Sequence, residues 1–254
     1  GKGGVGKSTV SVNLAYGLSL RGYKVGILDA DLHGPNVPLM LGKEGIKLPS
    51  ISMPLPVTDN LAISSLSFFI PDNDPIIWRG PQKMGAISEM LEGIEWGEID
   101  FLVVDLPPGT GDETLSIAQN IGPDAKAVVV TTPQDVSLLD SRRTVKFARL
   151  LNLQLLGIVE NMSMHICSNC GHHEAIFGTG GAEKMAQKYN VKVLGQLPLN
   201  IQVRQDLDAG KPTVVAAPDS EIAKSFLDLA EKVSTELYWQ GSVIPSEILF
   251  REVK

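Results

Sequence analysis

The first nine residues follow a pattern whose residue types suit phosphate binding. Gly1 to Ser8 fit G-x-x-x-x-G-K-[ST] at every constrained position. Glycines let backbone N–H groups converge on phosphate oxygens, the lysine adds positive charge near the β- and γ-phosphates, and the Ser8 hydroxyl ligates Mg²⁺. A helix that begins directly after the loop adds its positive N-terminal end. The pattern predicts a nucleotide site formed by Gly3, Gly4, Val5, Gly6, Lys7, Ser8 and Thr9.

A carboxylate at the end of a later apolar run is the second part of this site. Phe101–Val104 has the length and composition of a buried strand, and Asp105 follows it directly. An aspartate in this position holds Mg²⁺ through water in P-loop proteins. A glycine-rich turn arising by chance would not account for both the helix that follows at once and this aspartate. The combination favours nucleotide binding.

The two cysteines, Cys167 and Cys170, allow several interpretations. A thioredoxin-like redox pair is disfavoured because the pair follows a strand and lies among polar turn residues. An intrachain zinc site could add His165, His172 or His173, but four ligands within nine residues leave little room for tetrahedral closure. One pair from each of two copies would give the four thiolates of a [4Fe–4S] cluster or a Cys₄ zinc site. Two unremarkable surface thiols are the simplest alternative.

Composition excludes several classes of protein. Of 254 residues, 43% are hydrophobic and 20% charged, which supports a packed core and argues against wholesale disorder. The net charge of −7 disfavours non-specific binding to nucleic acids or anionic membranes. Two cysteines are too few for a disulfide-stapled secreted fold, so we expect a reduced, cytoplasmic protein. No apolar run is long enough to span a membrane.

Apolar runs of strand length alternate with stretches of helical period, which is typical of a parallel sheet covered by helices on both faces. The predicted strands are Tyr23–Leu28, Leu61–Leu66, Phe101–Val104, Ala127–Val130, Leu155–Val159 and Val193–Leu197. The predicted helices are Val10–Leu20, Ser137–Leu151, Gly181–Tyr189 and Glu221–Leu237. We expect an α/β P-loop NTPase fold with a mostly parallel, twisted sheet in a single domain, residues 1–239, followed by a tail of unknown role, residues 240–254. Because a buried strand normally precedes a phosphate loop, we also expect one upstream of Gly1.

The loop Lys2-Gly3-Gly4-Val5-Gly6-Lys7-Ser8 resembles the deviant Walker A loop of the MinD/ParA/nitrogenase-iron-protein class of ATPases. In that class the first lysine crosses a dimer interface, so the resemblance implies that Lys2 acts on the partner's nucleotide as an arginine finger would. The class also has a pair of aspartates after its second strand, matched here by Asp29-Ala30-Asp31. The resemblance implies that Asp31 positions the attacking water, while Asp29 supports Mg²⁺ and the loop. A polar strand end with a helix cap is the plainer alternative.

Further segments resemble the Mrp/ApbC branch of this class, from Gly1 to about Leu237. They are Asp29–Asn36, Trp78-Arg79-Gly80-Pro81, Asp105–Asp112, Thr131-Thr132-Pro133-Gln134, Glu160-Asn161-Met162-Ser163, Cys167–Gly171 and Leu197-Pro198-Leu199. Proteins of this branch are ATPases that act as scaffolds or carriers in iron–sulfur cluster assembly. The resemblance also implies that Asn161 hydrogen-bonds the adenine edge and that the loop around Pro198 packs on the ring.

The resemblance therefore implies a slow ATPase that binds a [4Fe–4S] cluster between two copies and transfers it to apo iron–sulfur acceptor proteins. Its expected partners include a second copy of the chain, and neither nucleic acid nor membrane. The implied residues are Lys2, Lys7 and Asp31 for catalysis, Ser8, Asp29 and Asp105 for Mg²⁺, and Cys167 and Cys170 for the metal. Zinc at the same cysteines stays open. The alternatives are a positioning ATPase of the MinD or ParA type and a nitrogenase-iron-protein-like reductase.

Overall fold

The structure is a computed structural model of the chain. It describes residues 3–32, 34–69, 80–122, 124–167 and 169–239. Three features singled out from the sequence lie outside the described residues: Lys2, the Trp78-Arg79 pair and the tail 240–254.

Strands and helices alternate along the described residues. The strands are β1 (Val25–Asp29), β2 (Leu55–Thr58), β3 (Leu61–Ser65), β4 (Phe101–Asp105), β5 (Lys126–Thr131), β6 (Gln154–Glu160), β7 (His165–Ile166), β8 (His173–Glu174) and β9 (Val193–Gln196). The helices are α1 (Lys7–Leu20), α2 (Val37–Met40), α3 (Gly80–Glu92), α4 (Asp112–Ile121), α5 (Asp135–Leu150), α6 (Gly181–Tyr189), α7 (Ile201–Asp208), α8 (Thr213–Ala216) and α9 (Glu221–Trp239). Within these residues no helix is both long and apolar enough to cross a lipid bilayer.

The long strands form two sheets. The first has the order β2-β3-β1-β4 and the second the order β5-β6-β9. All pairings in them are parallel except that of β2 with β3. At the ends of the two sheets, β4 and β5 each have one edge that pairs with no other strand among the described residues. The upstream strand expected from the sequence stays a prediction.

Helices cover both faces of the sheets. On one face, α1 and α9 pack against each other and close a core that includes residues of both sheets, such as Ile27 and Leu156. On the other face, α3 and α4 cover the first sheet around Leu28, and α5 and α6 cover the second around Ile158. The α/β fold with helices on both faces of a mostly parallel sheet is therefore confirmed.

Two details differ from the sequence-based expectations. Helix α1 begins at Lys7 rather than Val10, because the left-handed Gly6 (φ 83°) is its N-cap and the helix opens directly from the loop. Strand β2 (Leu55–Thr58) lies in a segment for which the sequence predicts no strand, just before the expected strand β3. β2 pairs antiparallel with β3, and in the turn between them the N–H of Asn60 donates to Thr58 Oγ1 at 3.3 Å.

A close backbone contact joins the turns that follow α2 and α7. Gly42 and Gly210 both have positive φ, 64° and 70°. A Cβ added to Gly210 would lie 2.5 Å from Gly42 Cα, closer than carbon atoms approach one another. The contact therefore requires glycine at Gly210 on two counts, backbone conformation and space.

Candidate functional site

The phosphate loop leads directly into α1. Gly4 and Gly6 adopt left-handed conformations with φ of 79° and 83°, which glycine reaches without strain. Lys7, Ser8 and Thr9 form the first turn of α1, so the N-terminal end of the helix faces the loop. The local sequence thus places backbone N–H groups, a helix N-terminus and the Lys7 ammonium around one position, which is the arrangement that binds phosphates.

Lys7 lies close to two of the predicted carboxylates. Partial burial lowers the pKa of the Lys7 ammonium, while the negative charges of Asp105 and Asp31 act in the opposite direction. The structure therefore brings together three residues that the sequence separates by up to 98 positions. The charges of the two aspartates favour the ammonium form of Lys7, which is the form that pairs with phosphate oxygens.

Asp29 and Asp105 end the neighbouring parallel strands β1 and β4, where they occupy opposed register positions. Both carboxyls are almost fully buried, with 1% and 2% of their surfaces exposed. Burial, and then the charge of Asp105, raise the pKa of Asp29 to about 8. Burial also raises the pKa of Asp105, although hydrogen bonds from Ser8 and Ser11 favour its ionised form. Two buried carboxyls beside the Ser8 hydroxyl form an oxygen-ligand set that suits Mg²⁺.

Asp29 also shapes the segment that carries Asp31. Its oxygens accept hydrogen bonds from the N–H groups of Asp31 and Val37, both at 3.2 Å. Asp31 Oδ1 in turn accepts the N–H of Gly34 at 3.2 Å. The segment between β1 and α2 is thus folded around the Asp29 carboxyl, so a ligand that engages Asp29 acts directly on the position of Asp31.

One of the two predicted adenine residues, Asn161, contacts the phosphate loop. Asn161, only 4% exposed, donates its Nδ2 amide to the carbonyl of Val5 at 2.9 Å, which joins it to the phosphate loop. Pro198 is half-buried in the loop between β9 and α7. The adenine contacts of both residues stay predictions, and the bond from Asn161 to Val5 is a feature that the sequence did not predict.

The two cysteines lie in a β-hairpin formed by β7 and β8, which we call the cysteine hairpin (residues 165–174). The N–H of Cys167 donates to the carbonyl of His172 at 3.0 Å, and the N–H of Gly171 donates back to the carbonyl of Cys167 at 2.9 Å. Gly171 has φ of 70°, which closes the turn after Cys170. Cys170 is exposed and Cys167 partly exposed, and both are free thiols.

Two functional candidates escaped the sequence-based reasoning. Ser11 donates its hydroxyl to Asp105 Oδ1 at 2.8 Å. Its position three residues after Ser8, on the same face of α1, is a signal that could have identified it. Glu160, at the end of β6, is 1% exposed and accepts the N–H of Ala182 at 2.8 Å, so it caps the N-terminus of α6. Burial raises the pKa of Glu160.

A glycine loop that opens a helix, beside buried aspartates at the ends of two parallel strands, defines a P-loop NTPase. The chain belongs to the ParA family: the family model described as the NUBPL iron-transfer P-loop NTPase matches residues 1–234. It is an ATPase of this class.

Relatives support this assignment. The chain is 59% identical over 257 residues to the iron-sulfur cluster carrier protein of Haemophilus influenzae, covering 100% of this chain and 69% of the relative. A nucleotide-binding protein from Archaeoglobus fulgidus, solved in complex with ADP, is 35% identical with a TM-score of 0.73, over 89% of this chain and 88% of that one. The cell division ATPase MinD of Pyrococcus furiosus is 25% identical with a TM-score of 0.71, over 92% and 95% of the two chains.

Proposed function

We propose that this ATPase carries an iron–sulfur cluster, bound by Cys167 and Cys170 of one copy and by the same two cysteines of a second copy. The observation on which this rests is the cysteine hairpin, which follows β6 and presents two free, accessible thiols between β7 and β8. The cluster is the cargo of the protein, and nucleotide binding controls its delivery. The Haemophilus influenzae relative is an iron-sulfur cluster carrier protein, which supports this cargo.

The turn favours the form of the cysteine that binds metal. Hydrogen bonds from the backbone N–H groups of Cys170 and Asn169 lower the pKa of the Cys167 thiol. A lower pKa raises the share of thiolate, the species that ligates iron. Hydrogen bonds to a ligand sulfur also remain available once the sulfur is bound, where they tune the cluster.

The number of ligands supports a site shared between two copies. Among the residues that the structure describes, no group of three or more His, Cys, Asp or Glu side chains is placed to hold a metal ion. The intrachain zinc site with His165, His172 or His173 is therefore not assembled there. A [4Fe–4S] cluster held by protein thiolates takes four of them, and a two-fold axis supplies four from two identical pairs.

The nucleotide site supplies the chemistry of ATP hydrolysis. Ser8, Asp29 and Asp105 are the residues that would hold Mg²⁺, which when bound neutralises charge on the phosphates. Lys7 pairs with phosphate oxygens, and Asp31 orients the attacking water. Lys2 of each copy would reach the nucleotide of the other, so that hydrolysis depends on the paired arrangement.

Delivery of the cluster is an exchange of ligands. Thiolates of an apo iron–sulfur acceptor replace Cys167 and Cys170 on the iron, and the protons that the acceptor thiols lose are taken up by the released cysteines. The exchange needs no electron from outside. Free thiols of this kind require a reducing compartment, which supports the cytoplasm as the place of action.

The test is anaerobic loading with iron and sulfide, followed by metal analysis and visible absorption. We expect about four irons for each pair of chains. Cys167→Ser and Cys170→Ser should lose both the iron and the ability to activate an apo acceptor. His173→Ala, which changes an exposed side chain of the same hairpin, should keep both. Binding of zinc alone, or unchanged delivery by Cys167→Ser, would refute the proposal.

A further inference from the structure

We propose that Asn161 is a positioning residue that transmits the state of the phosphate loop to the cysteine hairpin. The proposal rests on the proposed function for the role of the hairpin as the cluster site. It does not depend on the adenine contact implied for Asn161 by family resemblance. Its basis is a buried hydrogen bond between residues that lie 156 positions apart in the chain.

The acceptor of that bond belongs to a peptide group of the phosphate loop. Asn161 Nδ2 donates to the carbonyl oxygen of Val5, and the same peptide group contains the N–H of Gly6. A trans peptide group is planar, with its carbonyl and N–H pointing in opposite directions. The loop chemistry requires the Gly6 N–H to face a phosphate, and the Val5 carbonyl faces the opposite way in the same plane, so any rotation of that plane moves both groups. A rotation of this peptide plane on phosphate binding is therefore passed to the acceptor to which Asn161 is bonded.

The contact between Asn161 and Val5 is buried and closely packed. Val5 is 2% exposed and Asn161 4% exposed, so no solvent lies around the bond to replace it. A side chain at Gly6 would collide with the amide of Asn161. Met162, the next residue, adopts a left-handed φ of 57°, a conformation that non-glycine residues rarely take. The backbone at Asn161 is thus fixed tightly against the loop.

The residue's other connections direct any displacement toward the cysteines. Behind Asn161, its own N–H donates to the carbonyl of Thr131 at 2.8 Å, and Glu160 is fixed to the N-terminus of α6. Six residues ahead, the chain reaches Cys167 in the cysteine hairpin. The side-chain amide is therefore the link between a chain held on the sheet and a loop that moves with the nucleotide.

The segment between Asn161 and the hairpin is paired along its length with the loop 197–200. The hydrogen bonds are Ser163 N–H to Leu197 O at 2.9 Å, Leu199 N–H to Met164 O at 2.8 Å, Ile166 N–H to Leu199 O at 3.2 Å and Asn200 Nδ2 to Ile166 O at 3.1 Å. A shift at Asn161 consequently moves residues 163–166 together with the loop 197–200, to which they are hydrogen-bonded. The amide exchange rates of this segment report that shift.

The experiment is hydrogen–deuterium exchange followed by mass spectrometry on the cluster-free protein, with and without Mg²⁺ and the ATP analogue AMPPNP. In the unchanged protein we expect the analogue to alter exchange several-fold in peptides covering residues 3–10 and 163–171. In Asn161→Ala and in Asn161→Asp, which keeps the shape but lacks the donor, the response of 163–171 should fall to less than half. In each protein, a change in deuterium exchange at residues 3–10 on addition of AMPPNP shows that the nucleotide is bound.

Nucleotide-free samples give a second comparison. Without the bond to Val5, both variants should exchange faster at 163–171 than the unchanged protein does, and this holds even if a variant binds AMPPNP poorly. Asn120→Ala removes an exposed amide that bonds Ser88 and Ser116, and it should behave as the unchanged protein in both peptides.

Three results would overturn the proposal: no response of 163–171 to AMPPNP in the unchanged protein, a full response in an Asn161 variant whose 3–10 peptide responds, or unchanged nucleotide-free exchange in both variants. Because no iron is used, failure here is distinct from failure to bind a cluster.

Discussion

At the scale of single residues, the two buried aspartates are the most demanding feature of the site. Asp29 and Asp105 face each other at the ends of adjacent strands, and burial makes their ionised forms costly. A core made only for stability would have apolar groups there. The arrangement suits a cation. A bound cation offsets the repulsion between the two carboxylates and favours their ionised forms.

Asp29→Asn should therefore flatten the dependence of stability on pH. The pKa of Asp29 is raised to about 8 in the folded protein, so the folded state holds a proton that the unfolded state releases from about pH 4 upward. The free energy of unfolding of the unchanged protein should fall as pH rises through this interval, with Asp29 contributing up to about 1.4 kcal/mol per pH unit. Asparagine has no such proton to lose.

The measurement is urea unfolding at pH 5, 6.5 and 8 without nucleotide or Mg²⁺. Asp59→Asn, a change at an exposed carboxylate, serves as the matched control and should follow the unchanged protein. Parallel pH profiles for Asp29→Asn and the unchanged protein would contradict the expectation.

Residues whose role depends on local spacing were predictable, and residues whose role depends on a distant partner were not. Lys7 follows from the loop pattern and Asp105 from its place after an apolar strand. The bond from Asn161 to Val5 joins positions whose proximity arises only when β6 and the phosphate loop are packed. The sequence around an asparagine at the end of a strand does not indicate which group will accept its hydrogen bond.

At the scale of elements, the contact of Gly42 with Gly210 joins the turn after α2 to the turn after α7. Helix α2 follows the segment that holds Asp31, and α7 follows the loop of Pro198. The contact of the two glycines thus fixes the spacing between the turns after α2 and α7. No pattern in the sequence marks this pair, because glycines after helices are common and their partners are set by tertiary packing.

Gly210→Ala should destabilise the protein by roughly 2–4 kcal/mol, because the methyl group meets Gly42 at a left-handed position. Gly45→Ala is the matched control, since Gly45 has φ of 73° but no atom within 4 Å of an added Cβ. That variant should lose roughly 1–2 kcal/mol, the cost of the backbone conformation alone. Urea unfolding of the three proteins gives the comparison, and equal losses would show that the contact is unimportant.

Element type was predictable where apolar periodicity was strong. Helix α6 has the predicted bounds, and the parallel strands lie within about two residues of those expected. Strand β2 was missed because its residues are half exposed, with the alternating burial of an edge strand, and they sit within a segment rich in proline and serine. Its stability comes from pairing with β3, which local sequence does not encode.

At the scale of the whole molecule, the proposed cluster makes the dimer depend on metal. Loaded with iron and sulfide in the absence of nucleotide, the protein should elute with twice the 27.3 kDa mass of one chain. An iron chelator should return it to the single-chain mass, since the two pairs of thiolates then no longer hold one cluster between them. Light scattering after size-exclusion chromatography measures both states.

Cys170→Ser is the control for this experiment and should remain at the single-chain mass under loading conditions. A loaded protein that contains four irons per chain, at the single-chain mass, would contradict the shared site.

The packing of α1 against α9 joins the two groups of strands that position the site. The carboxylates Asp29 and Asp105 belong to the first sheet, whereas Asn161 and the cysteine hairpin extend from the second. Between β4 and β5 the described residues form no ladder, and the two halves are joined there by side-chain packing of α1 and α9. One core under α1 and α9, built from residues of both sheets, therefore holds the carboxylate part of the site and the cysteine hairpin in a fixed relation to each other.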